Sequence, residues 1–373
     1  MKKISIFGSV GFNIGDEAIA VAAANCLRTL DRDIEIYISS LHNNIINKYN
    51  GIDEFLIDRK SLKGWVKLVK QIKNSDIIVL GGGTMIQDKL GISLTRGMIP
   101  YMLQISIIAK FLNKKLVTLP IGVDKLNTRL GKILASHVLM KIDKLHVRDE
   151  NSKRLAAIYS NKGATPVVSV DPAFFLKIED EIEFSFMNKK KYVAISLVNE
   201  NLETDKFLPA ILKSIEFILE NTDYYIALVP MDRRESEEIS LFKIIRDNLK
   251  EDYKDKIKII NPNLNVYEIT SILRNSQLLI AMRLHAMILS LGYTPIIGIS
   301  RTTKTENFLN EYSDYYLDIN KNKINSDEII NIINEWLQMP KTVVESKLTN
   351  QRKSVQQNFK VYRNSISELL RDN

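Results

Sequence analysis

Residues 278–300 read LLIAMRLHAMILSLGYTPIIGIS. The run LLIAMR is short and apolar, as expected of a strand buried on both faces. A helical segment over about 285–292 follows, and TPIIGIS then returns to a β-branched run. A strand, a helix and a second strand in such close succession imply a parallel pair with its crossover. Two polar residues, Arg283 and His285, sit at the joint between the first strand and the helix.

The same alternation extends in both directions. Before the joint come YVAISLV, a helix over 203–220, YYIALVP, a helix over 235–249, KIKIIN and a helix over 265–274. After it come helices over 303–311 and 326–338 with YYLDI between them. Nearer the start, KISIFGS reads as a strand, followed by a glycine turn and a helix from Asp16 to about Leu30. IEIYIS, a weak EFLID, a helix over 61–74, DIIVLGGG, a helix over 96–113, KLVTLPIG, a helix over 128–142, KLHVRD and VVSVDPAFF complete that half. Between the halves, KIEDEIEFSFMNKKK is charged and weakly periodic, which marks a linker.

The reading is therefore α/β, with two doubly wound Rossmann-like domains facing a cleft. Residues 1–176 form the N-terminal domain, 177–190 the linker, 191–340 the C-terminal domain, and 341–373 a final helix after Pro340. A length of 373 residues suits two domains of about 100–200 residues each. Two such domains resemble the B-type glycosyltransferase architecture, whose active site lies in the cleft.

Composition narrows the classes. The formal charge of +8 favours anionic partners. No basic stripe interleaved with aromatics appears, so nucleic acid is not expected. The densest run, Lys189, Lys190 and Lys191, falls in the linker and reads as solvated. The lone cysteine, Cys26, allows no internal disulfide and no cysteine-based zinc site. It falls at helical spacing among Ile19, Ala22, Ala23 and Leu30 and reads as a small core residue. The start resembles a signal peptide, but its apolar stretch is short and runs into glycines and Asp16-Glu17. No apolar run approaches the ~18 residues of a membrane span. A cytoplasmic protein is expected, stationed at the inner face of the membrane where its acceptor is lipid-linked.

Two glycine turns follow strands. GSVGFNIGDE spaces its glycines as GxxGxxxG, and IEIYISS ends in serines, so a dinucleotide site is not expected. No Walker lysine is present either. Asp16 reads as a helix cap with Gly15 permitting the turn, or as a residue lining a site; both readings stand. GGGTMIQD is stronger. Gly82 and Gly83 at a strand's carboxyl end let another molecule approach the backbone. Asp88, just beyond, reads either as a cap or as a carboxylate that orients or deprotonates a sugar hydroxyl.

AMRLHAM carries the strongest chemistry. Arginine grips carboxylate or phosphate in a planar fork, and imidazole moves protons near neutral pH. Among the histidines, His42 falls in a polar loop, His137 in a helix and His146 inside a strand as a satisfied core imidazole. Only His285 stands at a strand end beside an arginine. Arg301 and Lys304 follow the next strand and add cations at the same edge. Arg148 repeats the pattern in the first half. It reads as a cleft residue or as the partner of a neighbouring acid, with Asp149 or Ser152 capping the helix that follows. Asp171 is expected to bind backbone N–H groups.

Taken in order, GFNIGDEAI, GGGTMIQD, VRDENS, SVDPAFF and MRLHAMILSLGYTPIIGIS with TKTENFL resemble the polysaccharide pyruvyl transferase family over roughly residues 5–310. The resemblance implies phosphoenolpyruvate as donor, a glycan or lipid-linked sugar as acceptor, and a pyruvate ketal with phosphate as products. It implies no metal and no cofactor. The RLH motif maps onto Arg283 and His285 as donor-binding and acid/base residues, with Leu284 giving backbone contact. The VRD arginine maps onto Arg148 and the acid after the glycine triplet onto Asp88. Ala281 departs from the glycine common before the motif. The N-terminal domain is then the acceptor side and the C-terminal domain the donor side. Two rival readings stand beside this one. The first is a nucleotide-sugar glycosyltransferase or epimerase, for which Glu306 is the nearest ribose-binding acid. The second is a non-catalytic member that binds a glycan precursor.

Overall fold

The computed structural model describes residues 1–42, 44–89, 91–93, 95–160, 163–178, 190–199, 207–300, 302–312, 317–320 and 324–370. Most of the expected linker, residues 179–189, lies outside the described residues, as does Arg301. The chain divides into two compact units. The first comprises 1–11, 15–176 and 357–373; the second comprises 12–14 and 177–356.

In the first unit the strands are β1 (Lys2–Val10), β2 (Ile34–Ser40), β3 (Asp53–Leu56), β4 (Ile77–Leu80), β5 (Thr84–Ile86), β6 (Lys115–Thr118), β7 (Gly122–Val123), β8 (His146–Val147) and β9 (Val167–Val168). The helices are α1 (Ile14–Leu30), α2 (Leu62–Asn74), α3 (Met98–Phe111), α4 (Arg129–Leu139) and α5 (Glu150–Tyr159). Five strands form a parallel sheet in the order β3-β2-β1-β4-β6. β5 pairs with β7 and β8 with β9, two short additions that periodicity alone does not reveal. Isolated bridges from Val117 to Lys144 and from Ile121 to Val147 tie β8 to the edge of the main sheet.

The second unit contains β10 (Tyr192–Ser196), β11 (Tyr225–Leu228), β12 (Ile257–Ile259), β13 (Leu278–Ala281), β14 (Ile296–Ser300) and β15 (Leu317–Asn320). Its helices are α6 (Phe207–Asn221), α7 (Ser240–Asp247), α8 (Glu251–Lys254), α9 (Val266–Arg274), α10 (Leu284–Ser290), α11 (Thr303–Tyr312) and α12 (Ser326–Gln338). Its sheet is parallel in the order β12-β11-β10-β13-β14-β15. The last helix, α13 (Lys341–Leu370), begins in the second unit and ends in the first.

Burial explains the strand sequences. Every residue of β4, β10, β13 and β14 is buried, which requires apolar side chains on both faces instead of alternation. The helices bury faces of different widths: α2 buries Gly64, Leu68 and Ile72, whereas α10 buries Ala286 to Ser290 without a break. α9 is fixed at its start by a capping box, in which Asn265 accepts from Glu268 N and Glu268 accepts from Asn265 N. Cys26 is a buried core residue, as its spacing predicts. His146 is buried too, with its ring nitrogens 3.3 Å from Thr118 O and 3.3 Å from Glu368 Oε2. No helix among the described residues is long and apolar enough to cross a membrane.

In each sheet the strand order reverses once, beside β1 in the first and beside β10 in the second. Open α/β sheets bind ligands outside the carboxyl ends of the strands at that point. The reversal therefore directs attention to the turns after β1 and β4, and to those after β10 and β13.

Candidate active site

The turns of the first unit are built for close approach. A Cβ on Gly8 would lie 2.3 Å from Gly81 O, so the backbones near the end of β1 and at the start of the triplet touch. Gly82 has φ 109° and Gly83 φ 66°, left-handed values that favour glycine. A Cβ on Gly83 would stand 2.6 Å from Asp16 Oδ1. The structure thus brings the glycine triplet and Asp16 together. It also corrects the expected cap: α1 begins at Ile14, so Gly15 and Asp16 lie inside its first turn, and Gly15 is not left-handed. Glu17, fully buried one residue on, accepts from the Tyr49 hydroxyl and pairs with Lys48 at 3.2 Å.

Asp88 does a local job that its sequence neighbours do not reveal. Its Oδ2 accepts from Asn127 N at 2.9 Å, Thr128 N at 2.8 Å and Thr128 Oγ1 at 2.9 Å. It therefore anchors the turn that caps α4, not the start of α3 that follows it in sequence. Burial raises its pKa, but these hydrogen bonds outweigh burial and hold the carboxyl below its ordinary value. One oxygen is thus committed, and the group is a weak base.

Arg148 follows β8 with only 8% of its side chain exposed. Its Nε lies 3.3 Å from Asp149 Oδ2, its Nη1 3.7 Å from Asp171 Oδ2 and its Nη2 3.4 Å from Thr84 Oγ1. Of the two readings left open by the sequence, the ion pair with neighbouring acids is the one displayed. Asp149 also caps α5 by accepting from Ser152 N at 2.6 Å. Asp171 accepts from Ala173 N at 3.0 Å, the expected backbone contact.

In the second unit, Arg283 is the N-cap residue of α10, directly after β13. The strand end is fixed by Met282 N donating to Ser196 O at 2.8 Å. Ser196 Oγ, at the end of the neighbouring β10, is fully buried and without a hydrogen-bond partner among the described residues. The Arg283 Nε donates to Glu238 Oε1, and its Nη2 lies 3.9 Å from Asp232 Oδ2. Leu284 and His285 open the helix, both partly exposed. Lys304 is partly exposed in the first turn of α11, which begins after β14. Glu306, the acid of the nucleotide-sugar reading, is exposed in the same turn.

Glu238, Asp232 and Arg234 were not legible as site residues. Glu238 lies in a π-helical turn, Glu235–Ile239, and is completely buried. Single π turns recur at functional sites because the extra residue re-aims a side chain. Its Oε2 accepts from Met231 N at 2.5 Å and Asp232 N at 3.3 Å. Burial raises its pKa against the opposing pull of Arg283 and the Met231 N–H. Asp232 accepts from Arg234 Nε at 2.9 Å and Nη2 at 2.7 Å. Burial raises its pKa as well, yet the Arg234 hydrogen bonds outweigh that and leave it lowered. Phe12–Ile14 belongs to this same unit: Ile14 N donates to Met231 O, Arg233 N donates to Phe12 O, and the Arg234 guanidinium lies 5.3 Å from the Phe12 ring. The one available signal was position, since Met231 to Arg234 follow closely on the carboxyl end of β11.

The family model for polysaccharide pyruvyl transferase matches residues 13–301. Among curated proteins none matches the chain by sequence. Solved structures share the fold at low identity. A UDP-GlcNAc 2-epimerase from Neisseria meningitidis, bound to UDP-GlcNAc, is 13% identical with a TM-score of 0.65 over 99% of both chains. A putative UDP-N-acetylglucosamine 2-epimerase from Listeria monocytogenes is 13% identical with a TM-score of 0.61, over 94% of this chain and 92% of that one. A glycosyltransferase from Rickettsia africae is 13% identical with a TM-score of 0.62 over 100% of both. These likenesses give the architecture, the B-type glycosyltransferase fold of parallel α/β sheets, and at that identity nothing of the chemistry.

Proposed function

This chain belongs to the polysaccharide pyruvyl transferase family, and we propose that it moves the enolpyruvyl carbons of phosphoenolpyruvate onto a sugar of a cell-surface polysaccharide or its lipid-linked precursor. The observation that carries the reading is the Arg283 fork, seated by the buried Glu238 two residues before His285. His285, as imidazolium, gives its proton to the donor methylene carbon. The neighbouring carbon becomes an oxocarbenium centre and takes a sugar hydroxyl, whose proton is lost. The carbon–oxygen bond to phosphate breaks, and inorganic phosphate leaves against Arg283. A second hydroxyl then closes the ketal and releases its own proton.

Charge balance argues for further cations. Arg283 and Arg234 face Asp232, Glu237 and Glu238, so this cluster has no spare positive charge by itself. The donor carries both a carboxylate and a phosphate, which Lys304 and Arg301 are proposed to meet. Arg148, nearly buried between Asp149 and Asp171, is assigned to holding the Thr84 edge in place of gripping the donor. The glycine edge of Gly82 and Gly83 is assigned to the acceptor. Asp88 would orient a hydroxyl there through Oδ1 while Oδ2 keeps its turn. No cofactor enters this scheme.

The nucleotide-sugar reading is favoured by the ligand named with the Neisseria epimerase. One assay separates the two. The protein is incubated with phosphoenolpyruvate, UDP-sugars and lipid-linked oligosaccharides, and phosphate and UDP are followed. Phosphate release that depends on both donor and acceptor is expected. UDP release without phosphate would replace this reading with the rival.

A further inference from the structure

The helices α2, α3 and α4 form one layer on the first sheet. Leu68 and Ile72 of α2, Tyr101, Met102 and Ile105 of α3, and Ala135 and Val138 of α4 join Ile78, Leu80 and Leu116 of the strands in one core. α3 packs against both of its neighbours. The inner side of the layer is therefore fully used, and its outer side is unusual in two independent respects.

The first is apolar exposure. Leu62 is 82% exposed and Val66, one turn later, 61%. Ile107 and Phe111 repeat this on α3, where Phe111 is 85% exposed, and Leu130 and Ile133 repeat it on α4. Single exposed apolar residues are ordinary, but matching stripes on three adjacent helices are not. The second respect is charge. The three helices hold seven Lys or Arg residues and no Asp or Glu. Four of them, Lys63, Lys67, Lys70 and Lys73, flank the apolar stripe of α2. Lys110 is balanced by Asp143 at 2.5 Å. With that pair set aside, six of the seven remain as an excess of positive charge on the three helices. In the second unit, by contrast, α6, α9 and α12 all carry acids.

We propose that this layer docks on the surface of an anionic lipid bilayer. The aliphatic and phenyl side chains enter the boundary between headgroups and acyl chains, and the lysines reach the lipid phosphates. A second copy of the chain is a poor occupant, because two such basic faces repel each other. Nucleic acid would use the lysines and leave Leu62, Val66 and Phe111 without a partner. The docking does not depend on the donor chemistry proposed above, so its failure would leave that reaction untouched.

The test is flotation of the full chain with vesicles of phosphatidylcholine containing about 30% phosphatidylglycerol, against pure phosphatidylcholine. Binding to the anionic vesicles alone is expected, weakening with salt. Each lysine lost should lower partitioning about fivefold. The combined variant Lys63→Glu, Lys67→Glu, Lys70→Glu should therefore lose more than about a hundredfold. Leu62→Ser with Phe111→Ser should lose about tenfold or more, since both side chains enter the interface. All these residues are exposed, so the melting temperature and phosphate release with a soluble acceptor should be unchanged in each variant. Absence of wild-type binding to the anionic vesicles would overturn the proposal. So would full binding by the glutamate variant, or by the serine variant, which would leave only diffuse electrostatic attraction. A dimer dissolved by the serine variant, or an acidic protein captured in place of vesicles, would overturn it as well.

Discussion

Arg148 follows β8 with 8% of its side chain exposed, while Arg283 follows β13 with 21% exposed. Both stand after a strand of a parallel sheet, and from sequence they look alike. Arg148 spends all three nitrogens on Asp149, Asp171 and Thr84. Arg283 spends its Nε on Glu238 and has only a distant approach to Asp232, leaving the outer edge of its fork uncommitted among the described residues. An arginine can hold a ligand only with donors it does not already use. A buried ion pair of the Arg148 kind secures a loop, and a one-sided anchor of the Arg283 kind aims a guanidinium. The difference lies in their partners, not in the strand-end position they share.

The largest effect should fall on the second edge. If chemistry resides there, His285→Gln should cut turnover by roughly 10²–10⁴-fold, the usual range for a lost general acid. Donor binding, read from the rise in melting temperature with phosphoenolpyruvate, should stay nearly intact. Near-normal turnover from pH 6 to 8 would move the search to the first edge, beginning with Asp88.

A double contrast sharpens the comparison further. Arg148→Ala leaves Asp171, which is 4% exposed, without its cation. Breaking a buried pair in this way should cost about 3 kcal/mol of stability in urea unfolding. Arg283→Ala should cost less stability, because Glu238 can take up a proton, and should weaken the donor about a hundredfold, since bonds to charged groups are each worth about 1.5–3 kcal/mol. Arg283→Lys should rescue only part, because an ammonium lacks the planar fork. The opposite pattern, with the donor lost in Arg148→Ala and stability lost in Arg283→Ala, would reverse the two assignments.

The limits of the sequence follow from distance along the chain. Alternation of short apolar runs with helical segments reveals both parallel sheets because each element declares itself locally. Arg283 and His285 are legible for the same reason: the strand, the joint and the helix are contiguous. The partner of Arg283 is not, because Glu238 lies 45 residues earlier in a segment that reads as an ordinary polar helix. Only the π turn, invisible to a 3.6-residue period, carries it inward. Asp88 is misleading likewise, since its partners Asn127 and Thr128 lie 39 and 40 residues on. The cap expected at Asp16 failed on a smaller matter, as α1 starts two residues early where Ile14 N already has an acceptor in Met231 O.

The smallest effect concerns the two carboxylates beside Arg283, which titrate in opposite directions. Glu238 lies above its ordinary 4.5, chiefly through burial. Asp232 lies below its ordinary 3.8, since the hydrogen bonds from Arg234 outweigh its burial. A raised pKa means that the folded state holds the proton more tightly than the unfolded chain. The stabilisation from Glu238 is therefore complete below pH 4.5 and is lost as pH rises through its folded value. Asp232 stabilises above pH 3.8 and loses that only as pH falls through its own lower value. Above pH 4.5 the two trends separate, because Asp232 is already ionised in both states. Glu238→Gln mimics the protonated acid and removes one of the two. Measured by urea unfolding between pH 4 and 8, the stability of wild type relative to this variant should fall as pH rises. The same variant should raise the donor KM more than it lowers kcat, because the guanidinium it leaves loses its anchor and not its charge. A difference independent of pH would mean that the Arg283 pair keeps Glu238 ionised throughout, and that the anchor is a permanent salt bridge of the Arg148 kind.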